Sequence, residues 1–196
     1  MSEAQEAVAT SEGGGTKAFP AVIAGLVRQF EMAGDAGGRA SLRIGTGVAA
    51  RLRRMDPQAP ETVFWSVLAD AVPPELKTTT LAEAGWMIVL NGMATMSPDP
   101  HVGGIQLGRI LAETGYSEMR LTRLLRAGSR EDLAREIGVA CRWLRAKGRA
   151  VDWIGLAAFV FTQLGVRLPG MRQVGPDAVA RGYFDTIAML AKPAKR

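Results

Sequence analysis

Apolar residues recur at three- and four-residue spacing along most of the chain. No segment keeps a strict two-residue alternation between turn signals, so the pattern predicts helices throughout. FPAVIAGLVRQFEMAG (19–34) reads as a first helix that stops at glycine, and SLRIGTGVAARLRRM (41–55) as a weaker second one, loosened by Gly45 and Gly47. ETVFWSVLADAV (61–72) is a short third helix ended by Pro73-Pro74. TTLAEAGWMIVLNGMATM (79–96) is long and apolar on every side, which places it at the centre. SPDPHVGG (97–104) has the chemistry of a loop. Beyond it, GIQLGRILAET (104–114) is a short helix that stops at Gly115. SEMRLTRLLRAG (117–128) has Ser117 as N-cap and Gly128 as its stop. SREDLAREIGVACRWLRAKG (129–148) sets Asp132 in capping-box position to Ser129. VDWIGLAAFVFTQLG (151–165) opens at Asp152 and is apolar nearly all round, which predicts burial. A loop (165–176) and a last helix, DAVARGYFDTIAML (177–190), precede the basic end KPAKR.

The predicted fold class is therefore all-α, a two-lobed helical bundle of about eight or nine helices. Residues 1–17 are small, polar and glycine-rich, the composition of a disordered tail. Residues 18–96 form the expected N-terminal helical lobe, 97–104 the loop between lobes, and 105–192 a basic C-terminal helical lobe. No internal repeat is evident.

Charge sharpens that division. The chain of 196 residues carries a net +5 with a pI near 9.9, so anionic partners are favoured. Residues 1–100 hold 8 Lys+Arg against 11 Asp+Glu, whereas residues 101–196 hold 16 against 8. The basic excess thus lies wholly in the second half. Its densest stretch is MRLTRLLRAGSR (119–130). On a helical wheel Arg120, Arg123 and Arg126 fall within about 120° of one another, opposite Leu121, Leu124 and Leu125. No carboxylate lies three or four residues C-terminal to them within that helix. The next helix repeats the pattern, with Arg135, Arg142 and Arg145 on one side and Leu133, Ile137, Ala140, Cys141 and Leu144 on another. Two consecutive arginine stripes suit a polyanion, because a guanidinium holds a phosphate bidentately and backbone phosphates repeat regularly. Aromatics make up only 6% of the chain, and Trp143 alone stands near these faces. Contact with the backbone is expected rather than base stacking or base reading.

Other chemistry is sparse. One cysteine, Cys141, and one histidine, His101, exclude an intramolecular disulfide and a Cys/His zinc site, and fit the cytoplasm. Cys141 falls on an apolar helix side and reads as packing. There is no Walker loop and no paired carboxylate set, so neither an enzyme, a metal nor a cofactor is expected. The most apolar run, 153–164, is too short for a bilayer, which needs about 20 residues, and no membrane partner is expected. Two other readings compete. LAREIGVACRWL, with Ala134, Gly138 and Val139, loosely fits the first helix and turn of a helix-turn-helix, with Ala140 to Lys147 opening a recognition helix of a DNA-binding regulator. Alternatively, the arginines meet acidic protein partners.

The run GIQLGRILAETGYSEMRLTRLLRAGSREDL, followed by VDWIGLA, resembles the small subunit of the type I-E CRISPR surveillance complex Cascade, the CasB family. The similarity is carried by GI-x-LGR at 104–109, the SE-x-R…LLRA helix and Val-Asp-Trp at 151–153. GDAGGRASLR, ETVFW and the Arg181-Gly-Tyr-Phe ending add to it. It spans residues 19–190 and is densest over 104–154. The resemblance implies a non-catalytic, all-α subunit, present as a dimer among the other Cascade subunits. It would lie beside the guide RNA–target DNA heteroduplex and help hold the displaced non-target strand, while the guide reads sequence. It also implies nucleic-acid contact by Arg43, Arg109, Arg120 and Arg126; Arg123, Arg130, Arg142 and Arg145 follow from the helical wheels. Arg109 and Arg120 have a structural alternative, bonding carbonyls or carboxylates between lobes.

Overall fold

The computed structural model describes residues 18–31, 44–56, 59–98 and 101–192. The expected tail at 1–17, the start of the second predicted helix and Arg43 lie outside the described residues. The helices are α1 (Phe19–Glu31), α2 (Thr46–Arg54), α3 (Thr62–Ala71), α4 (Thr80–Met96), α5 (Leu107–Glu113), α6 (Glu118–Leu125), α7 (Arg130–Ala146), α8 (Trp153–Gln163) and α9 (Pro176–Leu190). A 3-10 turn at Pro74–Leu76 joins α3 to α4. The described residues hold no strand, only an isolated bridge between His101 and Val151. The fold is all-α, and every described helix lies where the apolar periodicity put one.

Local chemistry sets the helix starts. Thr79, Ser117, Ser129 and Asp152 each accept a hydrogen bond from a backbone N–H of the first turn that follows. Pro176 opens α9, where its missing N–H costs nothing.

The core is organised around α4. Thirteen of its 17 residues are buried, so neighbours surround it on all sides. Gly85 and Gly92, two turns apart on one face, admit large rings. A Cβ at Gly85 would lie 2.4 Å from the Phe161 ring and one at Gly92 2.6 Å from the Trp153 ring. Both rings come from α8, so the two glycines let α8 seat its aromatics directly against the α4 backbone. Trp86 donates its indole N–H to the Leu76 carbonyl at 2.7 Å, which ties the 3-10 turn to α4. α4 also packs on α2 and α7, and α1 on α8, so buried side chains from both halves of the chain form one cluster.

A second contact fixes the C-terminal helices. α5 crosses α9 at very close range: a Cβ on Gly108 would stand 2.0 Å from the Val179 carbonyl oxygen. Gly182 of α9 lies over Gln106 and Arg109 at the same crossing. The glycine of GI-x-LGR and that of Arg181-Gly-Tyr-Phe therefore meet in space, and Tyr183 donates its hydroxyl to the Tyr116 carbonyl beside them. Val-Asp-Trp has an equally structural reason. Val151 bridges the 101–102 segment, Asp152 caps α8 and accepts from Gly104 N–H at 3.0 Å, and Trp153 fills the Gly92 groove. His101 accepts from the Trp153 N–H through Nδ1 at 3.2 Å.

Candidate nucleic-acid interface

α6 is amphipathic over only two turns. Leu121 and Leu124 are buried, Ser117 caps the helix, and Arg123 projects to solvent. The helix ends at Leu125, so Arg126 is its C-cap rather than a third member of a helical stripe. The turn through Gly128 then sets α7 beside α6. Thr122, Arg123, Arg126 and Ala127 face Asp132, Arg135 and Glu136 across a shallow cleft of about 290 Å³.

The arginines divide by partner. Arg135 is ion-paired to Asp132 and, at 3.5 Å, to the buried Glu136, so the two cleft carboxylates are turned onto a single guanidinium. The Arg135 pair and the Ser129 side chain hold Asp132 below its ordinary carboxylate range, the Ser129 hydrogen bond most strongly. Arg123 and Arg126, exposed on the other wall, have no hydrogen-bond or ion-pair partner among the described residues. The same holds for Arg142, whose guanidinium lies over Gly138.

Of the remaining predicted arginines, those among the described residues are engaged within the fold. Arg109 donates to Glu113 at 2.8 Å, one helical turn on, and Arg149 donates to the other oxygen of Glu113 at 2.7 Å. The Arg109 hydrogen bond first, and Arg149 with it, hold the Glu113 carboxyl below its usual range. Arg120 stacks on Trp143, its guanidinium carbon 4.8 Å from the ring centroid, and Lys147 lies 4.9 Å from the same centroid. Arg130 is the first residue of α7 and pairs with Glu131 at 3.0 Å. Arg145 donates to the Thr95 carbonyl at 3.0 Å, a neutral partner that leaves its charge uncompensated. Arg109 and Arg120 are thus engaged within the C-terminal half, by a carboxylate of the same helix and by an indole ring, rather than by carbonyls or carboxylates between lobes, whereas Arg123, Arg126 and Arg142 have no partner among the described residues.

The helix-turn-helix reading is corrected. Residues 133–144 belong to one unbroken helix, α7, with no turn at Gly138–Val139, and Ala140 and Cys141 are buried instead of facing a groove. A helical glycine costs only about 1 kcal/mol, which the Ser129 cap and the buried face of a 17-residue helix absorb. Cys141 is fully buried, and desolvation pushes its thiol up to about 12, as packing rather than nucleophilic chemistry requires.

Another concavity lies elsewhere. A groove of about 530 Å³ between α5, α8, α9 and the loop before α9 is floored by Phe19, Ile154 and Val179 and edged by Arg172, Arg181 and Asp185. It contains no arginine of the α6–α7 surface. Among the described residues there is no group of three metal-ligating side chains, and no helix is long and apolar enough to cross a membrane.

No curated protein and no solved structure matches the chain. The family model of the CRISPR-associated protein Cse2 matches residues 48–173, which run from α2 through α8 and include the whole α6–α7 surface. With that much of its length matched, the chain belongs to the Cse2 family, the small subunits of type I-E CRISPR Cascade.

Proposed function

We propose that this protein is a non-catalytic subunit that binds the displaced non-target strand along α6 and α7, and so stabilises the R-loop formed by guide RNA and target DNA. One observation carries the reading. Arg123, Arg126 and Arg142 are exposed and unpaired among the described residues, although carboxylates on the same helices pair with other arginines. Side chains left with their full charge are the ones that displace counterions from a phosphate backbone. Trp143, the one aromatic on this side, is already covered by Arg120 and Lys147, so base stacking has no platform here. Sequence selection then rests with the guide. The subunit works in the cytoplasm among the other Cascade subunits and as a dimer. Phe184, Ile187, Met189 and Leu190, exposed on α9, offer apolar surface for protein contacts, as expected of a chain that does not act alone.

The test is target-DNA binding by the type I-E complex reconstituted with Arg123→Ala/Arg126→Ala. Affinity should fall and the slope of log affinity against log salt should flatten. Unchanged affinity and slope would show that this surface does not meet DNA.

A further inference from the structure

Three arginines lie together at one corner of the fold, where α2 and α7 reach the C-terminal end of α4. Arg53 of α2 donates through Nε to the Ala94 carbonyl at 2.9 Å, and Arg145 of α7 donates through Nη1 to Thr95 at 3.0 Å. Both acceptors belong to the last turn of α4, whose carbonyls have no intrahelical partner and carry the negative end of the helix dipole. Burial first, and then the fields of Arg145 and Arg54, hold Arg53 below the usual guanidinium range, so Arg53 feels both neighbouring charges. No described carboxylate bonds Arg53, Arg54 or Arg145.

The partner type matters here. A carboxylate that immobilises an arginine also cancels its charge, as Glu113 does for Arg109. A carbonyl immobilises without cancelling. Arg53 and Arg145 are therefore held in place with their charge intact and with most of their N–H groups unused. Like charges fixed at close range repel, and a bound anion relieves that repulsion at little cost in ordering entropy.

We propose that this corner is a second anion site, which takes the phosphodiester backbone of the same strand that lies along α6 and α7. The identity of the anion rests on the function proposed above. α7 connects the two places. From Glu136 in the α6–α7 cleft to Arg145 is a rise of ~14 Å along the helix, with the unpaired Arg142 between them. A strand running beside α7 meets positive charge at both ends and on the way. An acidic protein segment would meet the same guanidiniums, but protein contacts centre on apolar anchors, and neither α2 nor α7 exposes a large apolar side chain.

The experiment uses the full chain and a fluorescein-labelled oligothymidylate, with anisotropy titrations at a series of salt concentrations. Arg54→Gln is the clean variant, since Arg54 bonds nothing in the described fold; Arg53→Gln/Arg54→Gln extends it, and Arg123→Gln/Arg126→Gln reports on the α6 surface separately. At the corner, each phosphate that is no longer neutralised should lower the salt slope by about 0.7, with helicity and unfolding midpoint of Arg54→Gln unchanged. If Arg54→Gln and the corner double variant both keep the wild-type slope, the corner is a helix cap only and the proposal is overturned; a slope loss in the α6 variant then leaves the α6–α7 reading standing alone. Slope loss in the corner variants with none in the α6 variant upholds the corner and removes the α6 surface. Corner variants that bind the oligonucleotide normally but fail to join the reconstituted complex would assign the corner to a protein neighbour and overturn the proposal. A wild-type chain that binds no oligonucleotide at the lowest salt overturns both readings.

Discussion

Gly108→Ala should unfold the protein far more readily than the size of a methyl group suggests. The added carbon would sit 2.0 Å from the Val179 carbonyl oxygen, 2.7 Å from the Tyr183 nitrogen and 3.0 Å from the Val179 carbonyl carbon. Non-bonded heavy atoms prefer about 3.5 Å or more, so α5 and α9 would have to part by over an ångström. The obstructing atoms are backbone and cannot swing aside, which puts the overpacking cost near the upper end of its usual range, about 3 kcal/mol. Parting the helices also strains the hydrogen bond from the Tyr183 hydroxyl to the Tyr116 carbonyl, worth ~1 kcal/mol. Alanine regains ~1 kcal/mol of helix propensity. The net is a loss of about 3 kcal/mol, or a fall of roughly 6–12 °C in midpoint for a chain of this size.

Two control glycines make the reasoning exposed to failure. Gly25→Ala, in the middle of α1 with nothing within 4 Å of the new carbon, should gain about 0.5–1 kcal/mol. Gly182→Ala is crowded by the end of the flexible Gln106 side chain, at 2.9 Å, with the Arg109 nitrogen in ordinary contact at 3.6 Å, and should be close to neutral. Urea and thermal unfolding followed by circular dichroism should rank the chains Gly25→Ala, wild type with Gly182→Ala, then Gly108→Ala. A Gly108→Ala protein as stable as wild type would mean that α5 and α9 do not cross at this distance.

Asp152→Ala removes the α8 cap to Ile154 and Gly155 and the tie to Gly104, and should cost about 1–2 kcal/mol in denaturant unfolding; a change of a few tenths would show the cap is dispensable. Cys141, with its thiol raised to about 12 by burial, should resist iodoacetamide in the folded protein and react on unfolding; rapid labelling of the native chain would contradict its place under α4. Glu113, depressed by Arg109 and Arg149, binds its proton more weakly when folded than when unfolded. Its contribution to stability is complete above the unfolded carboxylate pKa and is lost as pH falls through the lower folded value. Glu113→Gln should therefore show a shallower decline of stability on the acid side, and an identical decline would place Glu113 outside that network.

The helices and their caps were legible because their causes are local. Apolar spacing within about four residues, with Ser117, Ser129 and Asp152 at the starts, needs no tertiary information. The glycines were legible as motif letters but not as contacts, since the atom that excludes a side chain at Gly108 lies on Val179, 71 positions away in sequence. The arginines were the hardest. A helical wheel gives the direction of a side chain and says nothing of what waits there. Glu113 stands one turn after Arg109 and was readable as its partner, but Arg149 reaches the same carboxylate across 36 residues, and Trp143 meets Arg120 from another helix.

That limit bears directly on how a basic surface should be judged. Counting arginines on a face treats Arg135 and Arg126 alike, although one is bound to Asp132 and Glu136 and the other is unpaired among the described residues. The charge available to a polyanion depends on partners. Carboxylates cancel it, as at Arg109, Arg130, Arg135 and Arg149. An aromatic ring leaves it intact but fixes its place, as at Arg120, and a carbonyl does the same at Arg53 and Arg145. Beside α7, the arginines that keep their charge lie along the helix and at its two ends, on α6 and α2; Arg167, Arg172 and Arg181, exposed before and on α9, keep theirs as well. A strand held by the α7 group, as proposed above, would follow that helix from end to end, a path set by which guanidiniums beside it the fold leaves un-neutralised.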